Sequence, residues 1–153
     1  MTYDIDSNLE RPVDIKPAQL SQFISDKKGK DNILIPLSDS VITLGWMYKI
    51  NPVYIWAHLI WETGWGQQSL GKNNLFGYGA FDDAPREKAW RFRNFDHCLI
   101  IVLSRIRSFY FDAGRNTLRR INDDEPPYAT DPNWKNGICS IMNSIDLYCN
   151  KQI

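Results

Sequence analysis

The stretch Asn51-Pro52-Val53-Tyr54-Ile55-Trp56-Ala57-His58-Leu59-Ile60-Trp61-Glu62-Thr63-Gly64 decides the fold. Asn51 supplies a cap, and Pro52 suits the first turn, where its missing N–H has no helical partner to lose. Gly64 stands where a helix running through Thr63 would end. Val53, Ile55, Trp56, Leu59 and Ile60 occupy so much of the circumference that this helix reads as central and mostly buried. A helix of that kind needs other helices around it, and the flanking sequence supplies them.

Upstream, Pro17 opens a short helix with a narrow Leu20, Phe23, Ile24 stripe, which the Lys27-Lys28-Gly29-Lys30 stretch ends. Residues 1–35 therefore read as a peripheral N-terminal arm and short helix, and residues 36–153 as the main domain. A second helix is expected from Ser38 or Asp39, capped by the side-chain oxygen, with Val41, Ile42, Leu44 and Met47 inward. Downstream, Asp96 is placed to cap a long helix to about Asp112, with Leu99, Ile100, Leu103, Ile106 and Tyr110 inward and Gly114 after its end. Asp131-Pro132 opens the last helix, whose stripe is Ile138, Ile141, Met142 and Ile145. Trp46 and Trp56 fall on core stripes. Between Gly64 and Asn94 the texture differs: Gly64, Gly66, Gly71, Gly77 and Gly79 are too dense for helix, and Ala89-Trp90-Arg91-Phe92-Arg93 alternates as a strand does. The expected fold class is mainly α, with a small β-hairpin lobe inserted after the central helix.

Composition agrees with one folded unit. The chain has 153 residues, 43% of them hydrophobic and 24% charged, which excludes intrinsic disorder. No apolar run approaches the roughly 18 residues of a membrane span, and the start carries no secretory pattern, so no membrane insertion is expected. Eighteen basic side chains balance 18 acidic ones, leaving the whole molecule no electrostatic reason to seek nucleic acid. Residues 86–120 nevertheless carry a net +6, readable as a solvated helix face or as attraction to an anionic polymer. Cys98, Cys139 and Cys149 lack the paired spacing of a zinc site, and read as buried free thiols. If Cys139 and Cys149 share a helix they are about 15 Å apart, too far for a disulfide. His58 and His97 read as packing residues. No metal or cofactor is implied, and a monomer is favoured.

Glu62 is where chemistry concentrates. It is the one acid between Asp39 and Asp82, set in the last turn of the most buried helix between Trp61 and Trp65. Burial against indole rings disfavours the carboxylate, and so does the negative end of the helix dipole. A carboxyl group that keeps its proton near neutral pH is what a general acid requires. A carboxylate reaching past the helix end to water, or capping a neighbouring amide, would fit the same spacing.

The run Trp61-Glu62-Thr63-Gly64-Trp65-Gly66 is followed by Asn73-Asn74-Leu75-Phe76-Gly77, Phe81-Asp82-Asp83, Phe92-Arg93-Asn94-Phe95-Asp96 and Tyr128-Ala129-Thr130-Asp131-Pro132. In that order they resemble the bacterial and phage endo-β-N-acetylglucosaminidases of glycoside hydrolase family 73, within the lysozyme-like superfamily. The resemblance spans about residues 38 to 145, and it implies that residues 36–153 form a glucosaminidase catalytic domain.

The resemblance further implies a peptidoglycan hydrolase acting on glycan strands at the N-acetylglucosaminyl-β-1,4-N-acetylmuramic acid bond. Glu62 matches the catalytic acid and Tyr128 the tyrosine beside the reaction centre. Asn73 and Asn74 would hold the turn at the groove floor, with Phe76 beneath. Asp82, Asp83 and Glu87 are candidates for a second carboxylate, about 6.5 to 9.5 Å from Glu62 in an inverting enzyme; alternatively the substrate's own acetamido oxygen attacks. Trp65, Tyr78, Phe81 and Trp134 are candidate sugar platforms. The basic stretch then has anionic wall polymers as a candidate partner. A phage lysin held in the host cytoplasm until release, or carried in the virion, is the expected origin, beside an autolysin module. An N-acetylmuramidase, a lytic transglycosylase, and a silent wall-binding or virion structural module are the competing readings.

Overall fold

The computed structural model describes residues 2–68, 71–78 and 90–151. Among these, six α-helices form: α1 (Pro17–Lys28), α2 (Ser38–Tyr48), α3 (Pro52–Glu62), α4 (Phe95–Phe109), α5 (Leu118–Asp123) and α6 (Trp134–Asn150). Asn51 caps α3 as its position predicts, accepting a hydrogen bond from the Val53 N–H at 2.9 Å. Every residue from Pro52 through Ile60 is buried, so α3 is the axis of the core. It lies mainly against α6, whose stripe of Trp134, Ile138, Ile141, Met142 and Ile145 is buried in turn. Gly137 makes that approach possible: a Cβ there would stand 2.2 Å from the Trp61 ring.

The N-terminal segment is not peripheral. Tyr3, Leu9 and Ile15, with Leu20, Phe23 and Ile24 of α1, belong to the same core as α3. Leu9 is fixed by its backbone as well, its N–H donating to Asn116 O at 2.9 Å and its carbonyl accepting from Asn51 N at 2.8 Å. The periodicity of α1 is right but its weight was underrated, because the arm's apolar residues are spaced too irregularly to register as a stripe.

Two helices are rotated from the expected faces. In α2 the buried residues are Ser38, Val41, Leu44 and Gly45, while Trp46 and Met47 are 58% and 64% exposed. Gly45 lies on the inward face, where a Cβ would come within 2.9 Å of Ile50 O and meet Pro52 and Ile55, and its bulky neighbours turn outward. The helix also starts from a 3-10 turn at Ile35–Leu37, with no side-chain cap from Ser38 or Asp39. In α4 the inward stripe is Cys98, Leu99, Val102, Leu103 and Ile106, leaving Ile100 44% exposed, and the cap is Asn94 in place of Asp96. The helix α5 was not foreseen, although Thr117 caps it by accepting from Arg120 N at 3.1 Å.

Among the described residues, the basic side chains from Arg105 to Arg120 are turned to internal partners. Arg107 pairs with Glu10 and Asp112, each at 2.8 Å, and Arg119 forms a two-pronged pair with Asp6. Arg115 donates to the carbonyls of Arg120, Ile121, Asp124 and Pro126. The three cysteines are buried free thiols, as their spacing predicts. Among the described residues no helix is long and apolar enough to cross a membrane.

No strand forms among the described residues, so the expected hairpin lobe is not seen there; residues 69–70 and 79–89 of its span lie outside them. What is seen is an extended segment at residues 90–94 tied to the loop 71–78. Trp90 N donates to Tyr78 O at 3.0 Å and Phe92 N to Lys72 O at 2.9 Å.

Candidate active site

The end of α3 explains its own sequence. Gly64 takes the left-handed conformation (φ 54°), and Trp65 N then reaches back to Ile60 O at 2.8 Å, the six-to-one bond of a Schellman stop. Thr63, buried, donates its hydroxyl to Leu59 O at 2.6 Å and accepts from Gly66 N at 2.8 Å. Gly66 is also left-handed, and a Cβ on it would strike the Asn32 amide, which itself donates to Trp65 O at 2.8 Å. The Glu-Thr-Gly-Trp-Gly order thus encodes one abrupt helix end directly beyond Glu62.

Glu62 keeps its side chain 21% exposed at the rim of an otherwise buried face. Its Oε1 accepts the Trp134 indole N–H at 3.0 Å, and the same oxygen lies 3.3 Å from His58 Nε2. His58 is fully buried, and its Nδ1 is 3.2 Å from the Tyr54 hydroxyl. Tyr54, His58 and Glu62 are each four residues apart, one turn above another on a single face of α3. Around the imidazole stand Phe76, Tyr128 and Trp134, all edge-on with ring centroids 5.0 to 5.3 Å away. Burial pushes the Tyr54 phenol well up from its ordinary value, and the nearby Glu62 charge pushes it further.

Tyr128 reaches this cluster from the loop after α5. Its N–H donates to Ile121 O at 3.2 Å, Ala129 N donates to Asn122 Oδ1 at 2.8 Å, and the Arg115 guanidinium gathers the intervening carbonyls. The Tyr128 hydroxyl is buried and has no hydrogen-bond partner among the described residues. Burial first, then the charge of Glu62, hold its phenol well above the usual tyrosine range.

The opposite side is built from loop. Asn74, fully buried, accepts from Tyr78 N and donates to the carbonyls of Tyr78 and Trp90 at 2.9 and 3.0 Å. Asn73, left-handed at φ 57°, donates to Phe92 O and Arg93 O. These amides do the work of ladder bonds between two segments that form no sheet. Arg105 of α4 braces them, donating to the Tyr78 hydroxyl at 2.8 Å and lying over the Trp90 ring at 4.9 Å.

The structure therefore brings together Glu62, Tyr128, Phe76 and Trp134. Trp134 departs from its expected part as a sugar platform: it is 1% exposed, so neither face is open, and its indole N–H is committed to Glu62. Trp65 is separate. It packs near Phe23 and under Lys28, and lines a groove of about 360 Å³ with Trp61, Gly64, Gly137 and Ser140 that Glu62 does not line. Tyr78 is half-buried beside Trp90. Phe81, Asp82, Asp83 and Glu87 lie outside the described residues. His97, read as packing, caps the turn before α4 by accepting from Arg93 N at 3.1 Å. His58 packs as expected, yet it also touches Glu62, a contact absent from the sequence reading although the four-residue spacing on one helix face carries its signal.

The family model described as mannosyl-glycoprotein endo-beta-N-acetylglucosaminidase matches residues 38–147. A Streptococcus pneumoniae protein named for endo-beta-N-acetylglucosaminidase activity is 34% identical over 102 residues, 65% of this chain. The Staphylococcus aureus bifunctional autolysin is 28% identical over 84% of the chain. The chain spans 16% and 12% of the length of these two relatives. Among solved structures, a catalytic mutant of S. aureus autolysin E in complex with the disaccharide NAG-NAM superposes with a TM-score of 0.78 at 23% identity, covering 95% of this chain and 73% of that one. The S. aureus major bifunctional autolysin does so with a TM-score of 0.63 at 27% identity, over 94% of this chain and 66% of that one.

Proposed function

The chain belongs to the endo-β-N-acetylglucosaminidase family of glycoside hydrolases, and on that premise we propose that it cleaves the N-acetylglucosaminyl-β-1,4-N-acetylmuramic acid bond of bacterial peptidoglycan with Glu62 as general acid. The observation that carries this reading is the setting of Glu62. It is a rim carboxyl, held on one oxygen by a buried indole N–H and a buried imidazole, with the rest of the side chain turned to the surface. An acid so fixed delivers its proton in one direction, which is the positioning that glycosidic cleavage needs. The disaccharide and muropeptide bound by autolysin E support the same substrate class here.

Tyr128 is the second participant. A buried hydroxyl without a partner is a standing loss of about 1–3 kcal/mol, the kind retained where a ligand supplies the missing bond. We assign it to the substrate's N-acetyl group or to charge developing beside it. The partner of Glu62 in the reaction is one of Asp82, Asp83 and Glu87 as base, or the substrate acetamido oxygen; Asp→Asn and Glu→Gln variants at those three positions distinguish the routes.

The test is mass spectrometry of muropeptides released from purified peptidoglycan, borohydride-reduced to mark new reducing ends. Wild type is expected to yield reduced N-acetylglucosamine ends, and Glu62→Gln to lose about 10²- to 10⁴-fold in rate with melting temperature unchanged or raised. Reduced muramic ends would move the activity to a muramidase, and anhydro-muramic ends to a lytic transglycosylase. No product from either protein would leave a wall-binding module.

A further inference from the structure

The mechanism above uses Glu62 and Tyr128 but leaves two buried polar groups of α3 without a part, Tyr54 and His58. Both are fully buried, and each meets the next along the helix face. Among the described residues, the Tyr54 hydroxyl has one hydrogen-bond partner, His58 Nδ1. If the hydroxyl accepted from Nδ1, its own proton would be stranded in the core without an acceptor. It therefore donates, Nδ1 is the bare nitrogen, and the ring proton sits on Nε2, pointed at Glu62 Oε1. That oxygen already accepts the Trp134 indole N–H, so two N–H donors from two helices converge on it. Oε2 accepts no hydrogen bond from any described residue.

We propose that His58, held in its Nε2–H tautomer by Tyr54, is a positioning residue that keeps Oε1 of Glu62 as an acceptor and so places the acid's proton on Oε2. The proposal rests on Glu62 being the general acid. An oxygen receiving two N–H bonds is a poor home for a proton of its own, which leaves the outward oxygen to carry it. When the glycosidic C–O bond breaks, its electron pair goes to the leaving oxygen, the Oε2 proton follows, and Glu62 is left as a carboxylate. The two donors on Oε1 then stabilise the negative charge that appears, so one arrangement aims the proton and favours its release. The three rings set edge-on around the imidazole keep it from turning, so Nδ1 stays on Tyr54 and Nε2 on Glu62.

Nitrogen-15 NMR of the wild-type chain reads the tautomer directly. A protonated Nε2 and bare Nδ1 on His58 are expected, and a protonated Nδ1 would overturn the proposal. Kinetics on a soluble glycan fragment of peptidoglycan then test the consequence. His58→Phe keeps a ring but no donor, whereas His58→Gln keeps an N–H. We expect kcat of His58→Phe to fall about 3- to 30-fold below that of His58→Gln at unchanged KM, as loss of one transition-state hydrogen bond predicts. Wild-type kcat in a folded His58→Phe overturns the proposal. Should that variant not fold, Tyr54→Phe carries the test: a mixed tautomer with kcat down several-fold supports the proposal, and an unchanged tautomer with unchanged kcat overturns it. Glu62→Gln run alongside separates the two readings, since an active Glu62→Gln removes the acid itself, whereas an inactive one beside fully active His58 and Tyr54 variants removes only this proposal.

Discussion

The two sides of the site are made differently. One is the face of α3 against α6, where Tyr54, His58, Trp134 and the aliphatic residues between them are buried on two long helices. The other is the loop 71–78 with the extended 90–94 segment, held by the amides of Asn73 and Asn74 and by Arg105 from α4. The helical side shares its stability with the whole molecule, because the same residues form the core. The loop side has a few identifiable bonds of its own. Changes on the first should unfold the protein and its activity together, whereas changes on the second should lower activity before they lower stability.

Leu59→Ala is the largest expected effect, since a fully buried side chain is removed from the axis of the core. We expect about 2–5 kcal/mol of destabilisation, with melting temperature and lytic activity falling in step. Activity lost at an unchanged denaturant midpoint would break the contrast.

Raising pH should act where the two sides meet. Burial pushes the Cys98 thiol up to about 11, against stabilising hydrogen bonds from the backbone of Leu75 and Phe76 in the loop. Tyr54 and Tyr128 are raised as well. In each case the unfolded chain ionises first; for Cys98 the contribution is complete below about pH 8.5 to 9, where a free thiol keeps its proton, and is lost as pH climbs through 11, whereas for the two tyrosines the loss begins only near pH 10. Urea midpoints between pH 7 and 11 should drop by an amount equivalent to about 2–3 kcal/mol for Cys98 alone, and Cys98→Ala should flatten that limb. A flat profile in the wild type would remove Cys98 as a buried strut of the loop.

Asn74→Ala strips three hydrogen bonds from the loop and leaves the Trp90 carbonyl and the Tyr78 N–H without that partner, while the Tyr78 carbonyl keeps its bond from Trp90 N. We expect about 1–3 kcal/mol, expressed mostly as faster hydrogen exchange at Tyr78 and Trp90, with activity reduced more than the melting temperature. If α3 amides exchange faster by the same factor, the two sides are one cooperative unit.

The smallest effect should come from Arg119→Ala. Its pair with Asp6 is about half exposed on both partners, so a barely measurable loss is expected, smaller still at high salt. A larger loss in thermal melts would mean that the N-terminal arm is held to the core less by Tyr3 and Leu9 than their burial indicates.

Sequence alone determined the features that depend on a few neighbouring residues. The capped start of α3, its stop at Gly64 and the isolation of Glu62 in its last turn follow from local backbone preferences and from the 3.6-residue period, and all stand in the structure. The motif order also identified the family over nearly the same residues. Periodicity was weaker at telling how far each helix is rotated. Trp46, Met47 and Ile100 face outward while Gly45 and the Cys98, Leu99, Val102 stripe face the core, and an apolar stripe tolerates that rotation. His58 meets the acid from one turn away on the same helix, but only the tertiary structure decided which distant donor joins it. Trp134 reaches Glu62 across 72 positions of sequence, and it does so because α6 crosses α3 where Gly137 lets Trp61 in. Local sequence governs a residue's own backbone; which donor meets its side chain is set by the packing of helices far apart in the chain.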